Sequence, residues 1–467
     1  MTSKRPFLLI PVENQVRELD AKLLLACIAA NRGLSSIIGS KRELEARIAT
    51  YPKSIYLAKS LLHGHSKFLR IARQLGHEIT AWDEDALVHL PAEIYFSRRL
   101  SPDSIACVSQ LFAWGKDNAE LWRQYPAMPA HMPIHVTGNP RNDLLRPEIQ
   151  PFYDKAVSEI RDQFGDFILI NTNFNHVNAF SPIRKLFLPP DKPGEAPRFG
   201  RAARGMPREY AEGLQLHKQA VFEQFQKMIP ALDRAFPDTT IIVRPHPVES
   251  QEIYHRIARE CKRVQVTNQG NVVPWLLACR ALIHNGCTTS VEAYVIGVPA
   301  ISYRAVTNEV YDYGFYRLPN TLSHQCFNFD ELQQTLQKIL AGELGIVEGQ
   351  EARAMMEHHL AAYHGPLAGE RIVDVLEKMV HSLPESPKPP AAARLEGWYR
   401  ANKRRLRRWT KSVRKDASRS LEHQRKKNPA VPLPELHERI ARFQKVLGES
   451  RQLQVEQLHP TLFRITP

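Results

Sequence analysis

Between Thr240 and Tyr303 two short apolar runs each end in groups that suit a nucleotide phosphate. Ile241, Ile242 and Val243 form a β-branched run that reads as a buried parallel strand. Arg244-Pro245-His246-Pro247 follows. Proline cannot donate to a ladder and biases its predecessor away from helix, so the strand ends there and His246 is held in a rigid turn. Ala281 to His284 makes a second strand, and Asn285-Gly286-Cys287-Thr288-Thr289-Ser290 turns it into a helix beginning near Val291. Open parallel sheets bind ligands outside the carboxyl ends of their strands, which is where this reading puts Arg244 and His246. The free N–H groups and positive end of the second helix, with the hydroxyls of Thr288, Thr289 and Ser290, make a phosphate cradle. Glu292, one turn inside, is a candidate partner for ribose hydroxyls. Each piece alone also reads as a turn or an ordinary N-cap. Their pairing within one βαβ series is what points to a site.

The elements that must carry these groups alternate along the chain. FLLI (7–10), SSIIG (35–39), SIYLA (54–58), HEITAW (77–82), IACVS (105–109), LFAWG (111–115) and IHVTG (134–138) read as strands with helices between most of them. A second series runs through FILINT (167–172), a long helix from about 207 to 235, TIIV (240–243), VQVT (264–267), ALIH (281–284) and PAISY (299–303). The pattern specifies two Rossmann-like halves: residues 1–150 as an acceptor domain and 151–350 as a donor domain, with helices at 351–386 crossing back to the first. No GxGxxG follows Ile10, so neither half carries the dinucleotide fingerprint. The Pro-, Gly- and Arg-rich stretch between Asn178 and Tyr210 reads either as a lid over the site or as a disordered insertion.

With 467 residues, 43% hydrophobic and 24% charged, the chain is long enough for two or three domains with real cores and is not disordered in bulk. No run approaches the eighteen or so apolar residues of a membrane span. Six cysteines lack CxxC spacing and read as reduced thiols, neither a disulfide frame nor a zinc site. The net charge of +14 invites a nucleic-acid reading, but its distribution argues otherwise. Residues 391–430 hold fourteen Lys or Arg against three Asp or Glu, a local +11, and the remaining residues carry +3. That is a nearly neutral body with a basic tail.

Several segments resemble the GT-B glycosyltransferase and sugar-nucleotide epimerase superfamily. VTGNPRNDLL (136–145) is similar to the segment that closes the first domain there, and HNGCTTSVEAYVIGVPAISY to the donor-binding helix and following strand. WDEDA (82–86), RPHP (244–247) and NGCTTSVEA (285–293) resemble signatures of surface carbohydrate biosynthesis proteins, and an acidic pair, a His-Pro and a Ser/Thr pair occur in the same order in bacterial sialyltransferases and Kdo transferases. The match spans residues 5 to 380 and leaves out the tail. The resemblance implies a GT-B fold, with two Rossmann-like domains facing a central cleft. It also implies an acidic catalytic residue among Asp83, Glu84 and Asp85, with His246 binding the departing phosphate and protonating it. Ala86 stands where that family has glycine, and Asp85 adds a third carboxylate, so which acid acts stays open. The chemistry agrees: glycosyl transfer needs a carboxylate for the acceptor hydroxyl or the oxocarbenium-like centre, and donors for the departing phosphate.

Further candidates are Arg244, Asn285, Gly286 and Asn173 for the donor. Glu13, Arg17 and His65 are candidates for the acceptor, with Asn14, Glu18 and His63 beside them, while Asn171 and Asn175 join Asn173 as groups that reach donor phosphates or only satisfy a turn. No metal and no cofactor is expected. The expected function is a nucleotide-sugar-dependent, metal-independent glycosyltransferase acting on a glycan or lipid-linked surface precursor, with a CMP-linked acidic sugar (nonulosonate or Kdo type) favoured and UDP or GDP sugars open. Rivals are a CDP-glycerol-type glycerophosphotransferase, a sugar-nucleotide 2-epimerase and a non-catalytic nucleotide-binding scaffold. In the tail, 387–467, Trp398, Leu406, Trp409 and Val413 fall on one face of a cationic helix. That face reads as an anchor on an anionic membrane surface at the inner side of the cytoplasmic membrane, or as a helix packed on the body with a solvated basic face. No nucleic-acid partner is expected.

Overall fold

The computed structural model describes residues 6–89, 91–192, 194–312, 317–383, 388–412 and 428–467. It divides into two compact units: unit 1 is Met1–Leu87, Tyr95–Phe152 and Glu357–Pro467, and unit 2 is Val88–Ile94 and Tyr153–Met356. Both are α/β units built on sheets of parallel strands.

In unit 1 the strands are β1 (Leu8–Val12), β2 (Ser36–Ser40), β3 (Ile55–Ala58), β4 (Glu78–Ala81), β5 (Gln110–Ala113) and β6 (Ile134–Val136). β1 and β2 are buried along their whole length, and β1 accordingly reads as an unbroken apolar run. IACVS (105–109), expected as a strand, is instead the end of a short helix, Pro102–Ile105, and the turn that follows it. Ser101 precedes a proline at the start of that helix, a helix-initiating pair that outweighs the β-branched composition.

The residues read as a tail belong to this unit. β15 (Gln454–His459) and β16 (Leu462–Thr466) form a hairpin, and β16 pairs antiparallel with β2, completing the order β15-β16-β2-β1-β3-β4-β5-β6. Leu462, Phe463 and Ile465 are buried there. The approach is close at Gly39 (φ +142°), where a Cβ would stand 2.1 Å from the Thr461 carbonyl oxygen. The helix Ala391–Ser412 packs against the helix His63–Gln74: Ala401 is buried, and a Cβ on Gly397 would meet the Gln74 side chain. Val413 and the basic residues to Lys427 lie outside the described residues. The helix Ala368–Ser382 also belongs to unit 1, its first N–H groups from Ala368 and Gly369 donating to the Asp143 carboxylate at 2.8 Å.

Unit 2 holds β7 (Phe167–Thr172), the small hairpin of β8 (Phe187–Leu188) and β9 (Arg198–Phe199), β10 (Thr240–Pro245), β11 (Val264–Val266), β12 (Ala281–His284), β13 (Ala300–Tyr303) and β14 (His324–Cys326). The main sheet runs β11-β10-β7-β12-β13-β14, all parallel. Apolar clusters cover both faces, one around Phe225, Ile229 and Leu232 of the long helix Arg208–Ala235, the other around Trp275 and Leu276. The 178–210 stretch packs on its own small core of Leu186, Ala203, Met206, Ala211 and Leu214, with Arg208 over the rings of Phe187 and Phe199.

Candidate functional site

β10 and β12 lie on either side of β7, with Arg244 and His284 both aligned to Asn171 and Pro245 aligned to Thr172. The loops that follow therefore leave the sheet at one level, about 10 Å apart at two strand spacings. This register brings the two sequence motifs together at the carboxyl edge of unit 2.

His246 is fixed by its surroundings. Its backbone N–H donates to the Thr172 carbonyl (3.1 Å) and to Glu249 Oε1 (3.2 Å), and its Nδ1 accepts the Val248 N–H (3.3 Å). A neutral ring with an acceptor at Nδ1 carries its proton on Nε2. The sequence reading missed Glu249. Its buried carboxylate also accepts from the Thr172 hydroxyl (3.0 Å) and the Tyr254 hydroxyl (2.7 Å), and burial pushes its pKa up despite these bonds. It ties the RPHP turn to β7 and the helix Glu252–Arg259.

Across β7, His284 is the other residue sequence alone did not mark. Fully buried, it donates or accepts at Nε2 with the Ser323 hydroxyl (2.9 Å), and its Nδ1 accepts the N–H groups of Gly286 (3.0 Å) and Cys287 (3.4 Å). Burial lowers its pKa to about 3, so it is neutral and shapes the loop entering the helix Thr289–Ile296. Gly286 takes φ +80° in that loop. Asn285 Oδ1 accepts the Asn173 N–H (2.9 Å), and Asn171 Nδ2 donates to Thr289 Oγ1 (3.0 Å), knitting the end of β7 to the helix start. The amide oxygens of Asn171 and Asn173 have no protein partner among the described residues. Thr288 is the half-buried N-cap, and Glu292 is buried on the first turn. Asn175 begins a short helix, Asn175–Asn178.

Two donor-site candidates turn away from this role. The Arg244 guanidinium donates to the carbonyls of Gln269 (2.8 Å) and Gly270 (2.5 Å) and stacks on Trp275; burial lowers its pKa to about 10. Its charge is answered by two carbonyl dipoles and a ring face, so it positions the 269–270 loop instead of serving as a phosphate counter-ion. Ser290 is fully buried, and its hydroxyl donates to the Cys287 carbonyl (2.8 Å), leaving Thr288 and Thr289 as the hydroxyls of the cradle.

The carboxyl edge of unit 1 is a charged network. Glu18 accepts the N–H of Glu13 (2.9 Å) and bonds Lys22 (2.7 Å) and Lys59 (2.6 Å). Burial opposes ionisation of Glu18, but Lys22 and Lys59 overcome it and hold its pKa well below the usual carboxylate range. Lys22 also donates to the Pro11 carbonyl (2.8 Å) and lies 3.4 Å from Glu84. Glu84 further accepts from the Trp82 indole (3.0 Å), and Asp83 accepts from Tyr95 (2.8 Å) and Arg99. Both carboxylates are buried. Asp85 differs. It keeps 46% of its side-chain surface and pairs with Arg17 (2.9 Å) and Arg99 (3.2 Å). The crowded surroundings raise its pKa, but Arg17, then Arg99, Lys59 and Arg141, outweigh them and leave it well below the ordinary value. His63 is exposed at the start of its helix, near Asp103. His65 bonds Ser60 (2.8 Å) and Lys41 (2.9 Å), and burial followed by Lys41 brings its pKa down to about 4. Lys41 and Lys59 directly follow β2 and β3, so the strand-end rule that marked His246 would have marked them too.

No protein-family model matches the sequence, and no curated protein matches it. Solved structures with a similar chain trace include UDP-GlcNAc 2-epimerase from Neisseria meningitidis bound to UDP-GlcNAc, at 11% identity, covering 80% of this chain and 99% of that one with a TM-score of 0.45. The wall teichoic acid polymerase TagF, as a His-to-Asn variant with CDPG, shows 11% identity over 82% of this chain and 90% of its own, TM-score 0.47. Anabaena HepE in complex with UDP and glucose shows 13% identity over 81% and 100%, TM-score 0.41. At these values the likeness assigns neither a substrate nor a residue.

Proposed function

We propose that the protein is a glycosyltransferase that takes a sugar from a nucleotide donor and passes it to a surface-glycan precursor. The observation that carries this reading is the carboxyl edge of unit 2. There His246, its ring proton on Nε2, and the N-terminus of the helix Thr289–Ile296 with Thr288 and Thr289 leave one sheet level on either side of β7. Donated hydrogen bonds and a helix N-terminus suit a departing phosphate, and the neutral imidazole N–H adds one more donated hydrogen bond; protonating the phosphate takes the imidazolium form of the ring. Asn173, Asn285, Gly286 and Glu292 line the same edge as further donor contacts. Asp85 is the exposed one of the three acids in WDEDA and takes the acceptor hydroxyl's hydrogen bond, with Arg17 as its partner. The carboxyl-edge groups Glu13 and His65 complete the acceptor side. The order of acidic, His-Pro and Ser/Thr motifs favours a CMP-linked acidic sugar, and the chemistry is metal-independent in this reading.

The same proposal puts the protein at the inner face of the cytoplasmic membrane. Opposite its packed face, the helix Ala391–Ser412 presents Leu395, Trp398 (53% exposed), Tyr399, Leu406 and Trp409 (64% exposed), flanked by Arg400, Lys403, Arg405 and Arg407. Aromatic residues between cations suit an anionic lipid surface. Among the described residues no helix is long and apolar enough to cross a membrane.

Thermal-shift titration with CMP, CDP, UDP and GDP tests the donor. Stabilisation by CMP, abolished in His246→Ala, is the expected result. A preference for CDP redirects the reading to glycerophosphate transfer, one for UDP to epimerisation, and no shift with any nucleotide to a scaffold. Normal nucleotide binding by His246→Ala removes the donor-site assignment.

A further inference from the structure

Lys41 is a mostly buried cation (14% exposed) with no carboxylate oxygen at hydrogen-bond distance among the described residues. Its ammonium donates to His65 Nε2 at 2.9 Å, which leaves the ring proton on Nδ1 to meet the Ser60 hydroxyl at 2.8 Å. The nearest carboxylate oxygens are Glu13 Oε2 at 3.6 Å and Glu45 Oε1 at 4.0 Å. Glu45 is already engaged: its Oε2 accepts from Arg404 and Arg408 of the helix Ala391–Ser412, both at 2.7 Å, and its Oε1 accepts from Tyr56 at 3.2 Å. Glu45 is thus shared between those two arginines and Lys41. Burial depresses the Lys41 pKa against the pull of Glu45 and Glu13, with a smaller push from the neighbouring Lys59.

Lys59 stands beside it. Glu18 bonds Lys59 directly at 2.6 Å, and the same Glu13 Oε2 that faces Lys41 lies 3.4 Å from Lys59. One carboxylate oxygen from a side chain 42% exposed is therefore shared between two lysines, beyond hydrogen-bond distance of Lys41 and near its limit for Lys59. A group bearing several oxygens and more charge satisfies both ammonium ions better than this carboxylate does.

We propose that Lys41 and Lys59, with His65 behind them, form a phosphate-binding subsite at the carboxyl edge of unit 1, in which the Glu13 carboxylate is a displaceable stand-in for a phosphoryl group of the acceptor. The proposal rests on reading this edge as the acceptor side. The helix whose arginines neutralise Glu45 carries the exposed Trp398 and Trp409 on its other face, so the subsite is one residue removed from the element proposed to meet lipid. A phosphate carried by a polyprenyl lipid and a phosphate on a soluble glycan share the chemistry.

The test uses the full chain in a His246→Ala, Thr288→Ala, Thr289→Ala background, which removes the side chains of the phosphate site assigned to unit 2. Inorganic diphosphate is titrated calorimetrically, and in a second arm phosphatidylcholine vesicles are added with and without polyprenyl phosphate. Glu13→Gln is expected to tighten diphosphate or polyprenyl-phosphate binding about tenfold, a gain that a merely structural role for Glu13 does not produce. Lys41→Gln is expected to abolish that binding. A response to both probes supports the subsite with phosphate alone as its ligand, and a response only to vesicles bearing polyprenyl phosphate supports it with the lipid as the source. Binding that Glu13→Gln leaves unchanged, or that is the same on plain phosphatidylcholine, overturns the proposal. Nucleotide shifts of the parent protein are read separately, so failure of the donor assignment and failure of this subsite give different results.

Discussion

The two carboxyl edges solve opposite problems. In unit 1 the edge is filled with charge: Glu18, Lys22, Lys59 and Glu84 are buried in mutual contact, and Asp83 is held by Arg99 and Tyr95. In unit 2 the charged groups at the corresponding edge, Arg244 and Glu249, are tied into internal hydrogen bonds, and the rest is amides of Asn171, Asn173 and Asn285, hydroxyls of Thr288 and Thr289, two imidazoles and a helix N-terminus. A buried ion network satisfies itself and holds a rigid shape at the cost of desolvation. A neutral edge of donors leaves its electrostatic potential for a charged ligand. The difference separates a scaffold of ion pairs, with Asp85 and Lys41 at its margin, from an edge of hydrogen-bond donors, the one proposed to take the donor phosphate.

The largest expected effect breaks the unit 1 network. Lys22→Met leaves Glu18 and Glu84 buried without their shared cation and is expected to cost about 3–5 kcal/mol of stability in chemical denaturation. A loss under about 1 kcal/mol would mean the network is solvated and the contrast between the edges is false.

A smaller effect comes from pH. His284, with its pKa lowered to about 3, and His65, lowered to about 4, are neutral in the fold. A folded pKa below the unfolded value of 6.5 means that the stability these groups contribute is present above pH 6.5 and is lost as pH falls toward 4 and then 3. Denaturation midpoints measured across that window are expected to fall with pH, and His65→Gln is expected to flatten the unit 1 part of the slope. A profile flat from pH 6.5 to pH 4 would show that neither ring is buried neutral.

The smallest stability change and the sharpest functional one are expected together at Asp85. Its pairs with Arg17 and Arg99 are half exposed, so Asp85→Asn is expected to shift stability by no more than about 1 kcal/mol. Sugar transfer is expected to fall by about a hundredfold or more while nucleotide thermal shifts persist. Retained transfer would return the acid role to a group outside WDEDA.

Much of the fold was legible because buried parallel strands announce themselves as apolar runs: FILINT, TIIV and ALIH became β7, β10 and β12 with boundaries within two residues. The HP turn and the TTS loop were legible for the same reason, since both sit where such a run stops. Arg244 and Ser290 were misread because sequence shows a group's donors and acceptors but not which backbone carbonyl has come within reach. The C-terminal hairpin was hidden by the basic segment before it, whose charge made the whole end of the chain look like an appendage. QVEQLH and LFRIT are short, polar on alternate residues and far in sequence from β2.

The residues alone determined the two parallel α/β series, the strand ends where ligand groups gather, and the pairing of aromatic and cationic residues in the helix after residue 390. Those features are local, set by hydrophobic period, proline and helix-start chemistry. Tertiary structure decided which of the charged groups are already satisfied. Register across β7 brought the turn after β10 and the loop after β12 out of the sheet at one level, long-range ion pairs withdrew Asp83 and Glu84 into the interior and left Asp85 at the surface, and packing set Lys41 and Lys59 around one carboxylate. Charge and hydrogen-bond satisfaction depend on neighbours distant in the chain, and composition does not encode distance.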